Sequence, residues 1–204
     1  MDRRRRIGWK GTVLAAMLAL GLPLATDASA DGKLWFAGPY SFSDERGGFV
    51  ITGLDGSGTR DDPYLIRQEL FSSSPVTLVI RVTAPLNMFD PSGRFAIGQL
   101  HMRIETVNAS GQAWQEFEFE LQEAEGQPST FGDGLSFDQR RQQSDTISSD
   151  SFAWWSRDYE PYDRLRFREG HVDPRATAGF GFFINDFTPR AEFYLVQDPR
   201  IPFS

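Results

Sequence analysis

The chain has 204 residues, with 21 Lys and Arg against 28 Asp and Glu, a formal net charge of −7 and no cysteine. The missing thiols exclude disulfides, thiolate metal sites, a cysteine nucleophile and lipid attachment at cysteine. The acidic balance argues against a nucleic-acid or anionic-membrane partner, since both need clustered Lys and Arg.

Arg3, Arg4, Arg5, Arg6 and Lys10 open the chain, an apolar run from Thr12 to Ala25 follows, and Ala28-Ser29-Ala30 supplies the small residues a signal peptidase reads. A membrane-spanning helix needs about 20 apolar residues; this run is shorter and is interrupted by Gly21 and Pro23. Residues 1–30 therefore read as a cleavable signal peptide and residues 31–204 as a single domain, periplasmic or secreted, with no transmembrane segment after cleavage. Ile7-Gly8 is a poor match to the hydrophobic pair of the twin-arginine route, so the general export route is expected. Taking away the five basic and two acidic residues of the leader leaves a net charge of −10.

No later segment repeats apolar residues at i, i+3, i+4 and i+7, whereas period-two alternation is frequent. In chain order, strands are expected at Trp35–Phe42, Gly48–Thr52 and Tyr64–Leu70. The next has Val76, Leu78, Ile80 and Val82 on one face. Leu100, Met102 and Ile104 alternate with His101, Arg103 and Glu105. Phe117, Phe119 and Leu121 alternate with Glu116, Glu118 and Glu120. Further candidates are Leu135–Phe137, Ser151–Trp155, Leu165 and Phe167 amid Arg164, Arg166 and Arg168, then Phe180–Ile184, and Phe193 with Leu195. Turn signals separate them: Asp55-Gly56-Ser57-Gly58, Asp90-Pro91-Ser92-Gly93, Asn108-Ala109-Ser110-Gly111, Gly132-Asp133-Gly134, Glu169-Gly170 and Asp173-Pro174. The stretch Phe137 to Asp145 reads as loop. The pattern predicts an all-β fold, an antiparallel β-sandwich of immunoglobulin-like or jelly-roll-like type, with about eight to eleven short strands. Trp114 has the parity of Glu116 rather than of Phe117, which predicts a β-bulge between them.

The run Asn108-Ala109-Ser110-Gly111-Gln112-Ala113-Trp114 followed by Phe117-Glu118-Phe119-Glu120-Leu121, then Asp163-Arg164-Leu165-Arg166-Phe167, resembles a loosely defined group of exported bacterial β-sandwich proteins. That group shares an N-x-[ST]-G-x-x-W-x-x-F-x-F-x-L hairpin and a late D-x-L-x-F strand. The resemblance covers roughly residues 100–198. It implies a sandwich and no particular reaction. Members with a C-terminal sorting tail or calcium-binding repeats differ from this chain, which ends Asp198-Pro199-Arg200-Ile201-Pro202-Phe203-Ser204.

No catalytic apparatus is expected. There is no G-x-S-x-G, and His101 and His171 are the only histidines. Glu116, Glu118 and Glu120 share a strand face and could serve glycoside hydrolysis, but more simply form a solvated face paired with an arginine row. No metal or other cofactor is expected; Asp55, Asp61 and Asp62 make the best loop for calcium, although Arg60 stands among them and the closing Glu of an EF-hand is absent. Trp154, Trp155, Tyr159 and Tyr162 are the candidate ligand-binding residues, with adjacent Trp154 and Trp155 on opposite faces. The leading expectation is a non-enzymatic binding module for a protein, envelope or glycan partner. The alternatives are an extracytoplasmic glycan hydrolase and a subunit that assembles through edge strands.

Overall fold

The computed structural model describes residues 32–86, 94–130, 132–138, 145–187 and 190–201. The leader and the turn at Asp90–Gly93 lie outside them, as does most of the Phe137–Asp145 stretch. Among the described residues there is no helix, and so none long and apolar enough to cross a membrane.

Two sheets pack face to face. Sheet A runs β1 (Trp35–Ala37), β2 (Tyr40–Ser43), β5 (Val76–Val82), β14 (Glu192–Arg200), β7 (Glu116–Ala124), β12 (Arg164–Gly170) and β11 (Phe152–Asp158), with β8 (Gln127–Pro128) folded back on β7. Sheet B runs β10 (Ser148–Ser149), β13 (Thr177–Asp186), β6 (Gln99–Asn108), β4 (Tyr64–Leu70) and β3 (Phe49–Asp55), with β9 (Leu135–Phe137) beside β13. The expected sandwich is present, with one departure: β4 and β6 pair in parallel, while every other pairing is antiparallel. The chain leaves sheet B after β4, adds β5 to sheet A and returns as β6, which sets β4 and β6 side by side with one direction.

The fourteen strands among the described residues exceed the eight to eleven expected. Two of them, β8 and β10, are two-residue pieces too short to carry an alternation signal. The stretch Trp35–Phe42 is also a tight hairpin rather than one strand, because Gly38 takes φ 58° at its turn. Glu169-Gly170 is not a turn between strands; it closes β12, and Glu169 has φ 57°.

Phenylalanine fills the space between the sheets. Phe180 of sheet B lies 4.6 Å from Phe117, 5.2 Å from Phe119 and 5.0 Å from Phe167 of sheet A, ring centre to ring centre. A polar pin crosses the same core. Gln68 of β4 donates to Gln197 of β14 at 2.6 Å, Gln197 donates back at 3.2 Å, and Gln68 also donates to Thr106 at 2.9 Å. Buried amides cost little when both ends are bonded, and this pairing works in one register only.

The Asn108–Trp114 segment is a crossing between sheets, not a hairpin. It joins β6 of sheet B to β7 of sheet A. Buried Asn108 donates to the Gln112 and Val172 carbonyls at 2.7 and 3.0 Å, and accepts from the Ser110 hydroxyl at 2.7 Å. Ser110 in turn accepts from the Trp114 indole N–H at 3.2 Å. Trp114 is buried, 5.3 Å from Phe117, and forms a lone bridge with Val172. The predicted register break is there, but the extra residues lie opposite. Two residues separate Trp114 from Phe117, and four separate their partners Phe167 and Val172.

At the edge of sheet B, the outward-facing amide of Ile51 donates to the buried Asp44 side chain at 2.8 Å. A side chain thus occupies a donor that another strand would otherwise take.

Candidate functional site

The outer face of sheet A carries a ladder of opposite charges. Alternation turns Phe117, Phe119 and Leu121 of β7 inward and Glu116, Glu118 and Glu120 outward. The facing strand β12 does the same with Leu165 and Phe167 against Arg164, Arg166 and Arg168. Register places Glu120 opposite Arg164 and Glu118 opposite Arg166. The ion pairs follow at 2.7 Å for Arg164–Glu120, 2.8 Å for Arg166–Glu118 and 3.2 Å for Arg168–Glu116.

This face is less solvated than expected. The Glu118 side chain is only 4% exposed and also meets Arg164 at 3.5 Å and Arg200 at 3.2 Å. Three guanidinium groups roof it over. Arg200 and Asp198 come from β14, the other neighbour of β7, and bond each other at 3.0 Å. Burial pushes the Asp198 carboxyl above its ordinary value, with Arg200 opposing and Glu118 adding to the rise.

Beside the ladder the surface forms a trough of two hollows whose linings both include Asp198 and Arg200. One, of about 510 Å³, is lined by Ser73, Gln115, Glu116 and Arg166. The other, of about 280 Å³, has Glu118, Glu120, Gln122 and Arg164 around it, with Pro75 at the rim. Known protein families, curated proteins and solved structures include none that matches this chain.

The four aromatic candidates divide into pairs. Trp154 is 41% exposed and stacks on Arg168 with 5.6 Å between ring centre and guanidinium; Tyr162 is 39% exposed and stacks on Arg164 at 4.4 Å. Both stand at the outer face, one at each end of the arginine row. Trp155 and Tyr159 do not join them. Trp155 pairs with Phe167 and packs on the core. Tyr159 is half-buried, its hydroxyl donates to the Asp138 carbonyl at 3.0 Å, and burial pushes its pKa up to about 12.

Asp55, Asp61 and Asp62 do not converge. Asp55 binds Arg67 of β4, while Asp61 and Asp62 are exposed. What the Asp62 main chain supplies is a carbonyl that accepts from the Ser57 amide at 3.1 Å, an ordinary turn bond. Among the described residues no group of three or more Asp, Glu or His could hold a metal ion. His101, on the outer face of sheet B, stacks on Phe183 at 4.4 Å, and burial followed by the Arg60 charge lowers its pKa.

Sequence reasoning passed over two groups. Asp198 and Arg200 read as tail, because a lone Asp-Pro-Arg carries no alternation. Asp163 enters the sequence reading only as the first residue of the D-x-L-x-F run and Asp186 not at all, yet both are buried. Asp163 closes one end of the sandwich: its carbonyl accepts from the Leu121 amide at 3.1 Å, its amide donates to Ser129 at 2.9 Å, and its carboxylate accepts from the Phe137 amide of β9. Its second oxygen and both oxygens of Asp186 make no well-aligned hydrogen bond among the described residues, the Ser136 hydroxyl and the Arg190 amide being their nearby donors.

Glu118→Ala is expected to destabilise the fold by about 1–3 kcal/mol, because three half-exposed guanidinium groups lose a nearly buried counter-charge. Glu116→Ala, at a carboxylate 37% exposed, is expected to cost less than about 1 kcal/mol. Urea melts of the two variants measure the difference; equal costs would show that the ladder is uniformly solvated.

Proposed function

We propose that the chain is an exported, non-enzymatic binding module whose partner, a protein, an envelope component or a glycan, docks on the outer face of sheet A. The observation that carries this reading is the exposure of Trp154 and Tyr162 at the two ends of one charge-paired row beside an open trough. Aromatic rings are favoured anchors of binding surfaces, and these two share one ordered, polar sheet face. The non-enzymatic part rests on the glutamates. Their oxygens accept from guanidinium groups, so none stands ready as a free acid or base beside the trough. The bond from Ile51 to Asp44 favours this reading over assembly through the β3 edge.

Hydroxyl-radical footprinting of the mature protein with isolated bacterial cell envelopes, and separately with concentrated culture-medium polymer, tests the face. Trp154 and Tyr162 are expected to become protected, while Phe36 and Phe71, 62% and 52% exposed elsewhere, keep their reactivity. Protection of Phe36 or Phe71 instead, or of no aromatic in either mixture, would overturn the assignment.

A further inference from the structure

The outer face of sheet A has a chemistry that selects among the three partner classes, and we infer that its ligand is a neutral, polyhydroxylated glycan chain lying across β12 and β7 between Trp154 and Tyr162. The inference rests on the binding-face reading above.

Charge is the first discriminator. Arg164, Arg166, Arg168 and Arg200 face Glu116, Glu118, Glu120 and Asp198, four against four, each in an ion pair within 3.2 Å. Exposed Asp158 also stands opposite Arg164 in register, so the face has no surplus of positive charge to attract a phosphate, an anionic lipid or a polyuronate, and the acidic chain as a whole repels them. Apolar area is the second. A stable protein interface buries roughly 800 Å² per partner around an apolar centre. Here the centre of the face is ionic, and the apolar groups are two separate rings at its ends.

A sugar chain fits both facts. Its hydroxyls need donors and acceptors side by side, which guanidinium, hydroxyl and amide groups supply in Arg164, Arg166, Ser73 and Gln115. Its ring faces are rich in C–H and lie well on the electron-rich face of an aromatic ring. Arg168 and Arg164 lie four residues apart on β12, about 13 Å along the strand, and each holds one face of its aromatic partner. Trp154 and Tyr162 keep 41% and 39% of their surface exposed for the ligand, with the polar floor between them. The ladder also orders that floor in advance, so binding does not have to freeze flexible arginines.

The test is binding of the mature protein to cellulose, chitin, starch, xylan and mannan, with alginate as the acidic contrast. Insoluble polymers are measured by depletion and soluble ones by affinity electrophoresis. At least one neutral polysaccharide is expected to bind. Trp154→Ala and Tyr162→Ala are each expected to weaken it about tenfold, the equivalent of ~1.4 kcal/mol, with thermal stability unchanged because both rings are exposed. Trp155→Phe, at the core side of the same strand, is expected to bind as the parent does. Binding to alginate alone, to no polysaccharide, or to a neutral one with no loss in either variant overturns the inference. If envelope footprinting still protects Trp154 and Tyr162 in that event, only the glycan assignment falls; if it does not, the binding face falls with it.

Discussion

Asp163→Asn is expected to stabilise the protein at pH 8 and to leave it nearly unchanged at pH 4. Burial, partly offset by the Ser136 hydroxyl and the Phe137 amide, pushes the Asp163 carboxyl from 3.8 up to about 7. Asp133 adds to the rise and Arg157 opposes it. Folding therefore takes up a proton between pH 4 and 7. Stability is greatest where both states are protonated, and it declines as pH rises through that window. The elevation corresponds to roughly 4 kcal/mol, an upper bound for what the neutral Asn recovers above pH 7. Asp186 acts in the same sense. Burial brings it up to about 6, Glu123 and Asp133 add to the rise, and the Arg190 amide and charge oppose it, so some slope persists in the single variant below that pH. Two other groups run the opposite way. Glu45 is held at about 2 by Arg81, so its contribution is present above the ordinary carboxylate range and fades as pH falls toward 2. His101, neutralised by burial, loses stability as pH falls below its ordinary value. Subtracting wild-type from variant urea melts at each pH removes both. A difference that stays constant from pH 4 to 8 would mean that Asp163 is ionised throughout.

Phe180→Ala is expected to cost about 3–5 kcal/mol, the range for emptying an aromatic site in a packed core. Phe180 is fully buried and touches rings from β7, β11 and β12 at once, so no single neighbour can move to fill the space. Domains of this size hold about 5–15 kcal/mol in all, so the variant is expected to be partly unfolded at 37 °C. Calorimetry or urea melts measure this, and a cost below about 1 kcal/mol would mean that the inter-sheet space collapses freely around the gap.

The sheets were legible because one face of each strand is apolar and the next residue is not. Tyr64–Leu70 and Leu135–Phe137 match the observed strands residue for residue. The pairing of a glutamate row with an arginine row was legible too, since both sit at the same parity on neighbouring strands. So was the opposite placement of Trp154 and Trp155. Partner choice was not. Nothing local to β4 or β6 says that they run parallel, and Asn108–Gly111 looks like any tight turn until Trp114 is seen to reach into the core. The burial of Glu118 depends on Arg200, eighty-two residues away in sequence. Asp163 escaped notice because an acid ahead of a strand is ordinarily at the surface, and only the approach of β9 from the other sheet covers it.

The position of β14 has a consequence for biogenesis. It is the last strand among the described residues, yet it lies in the middle of sheet A, hydrogen-bonded to β5 on one side and β7 on the other. Until it arrives, those two strands present unpaired inner edges and Leu78, Ile80, Phe119 and Leu121 have an incomplete floor. The core between the sheets thus cannot close until β14 has been synthesised.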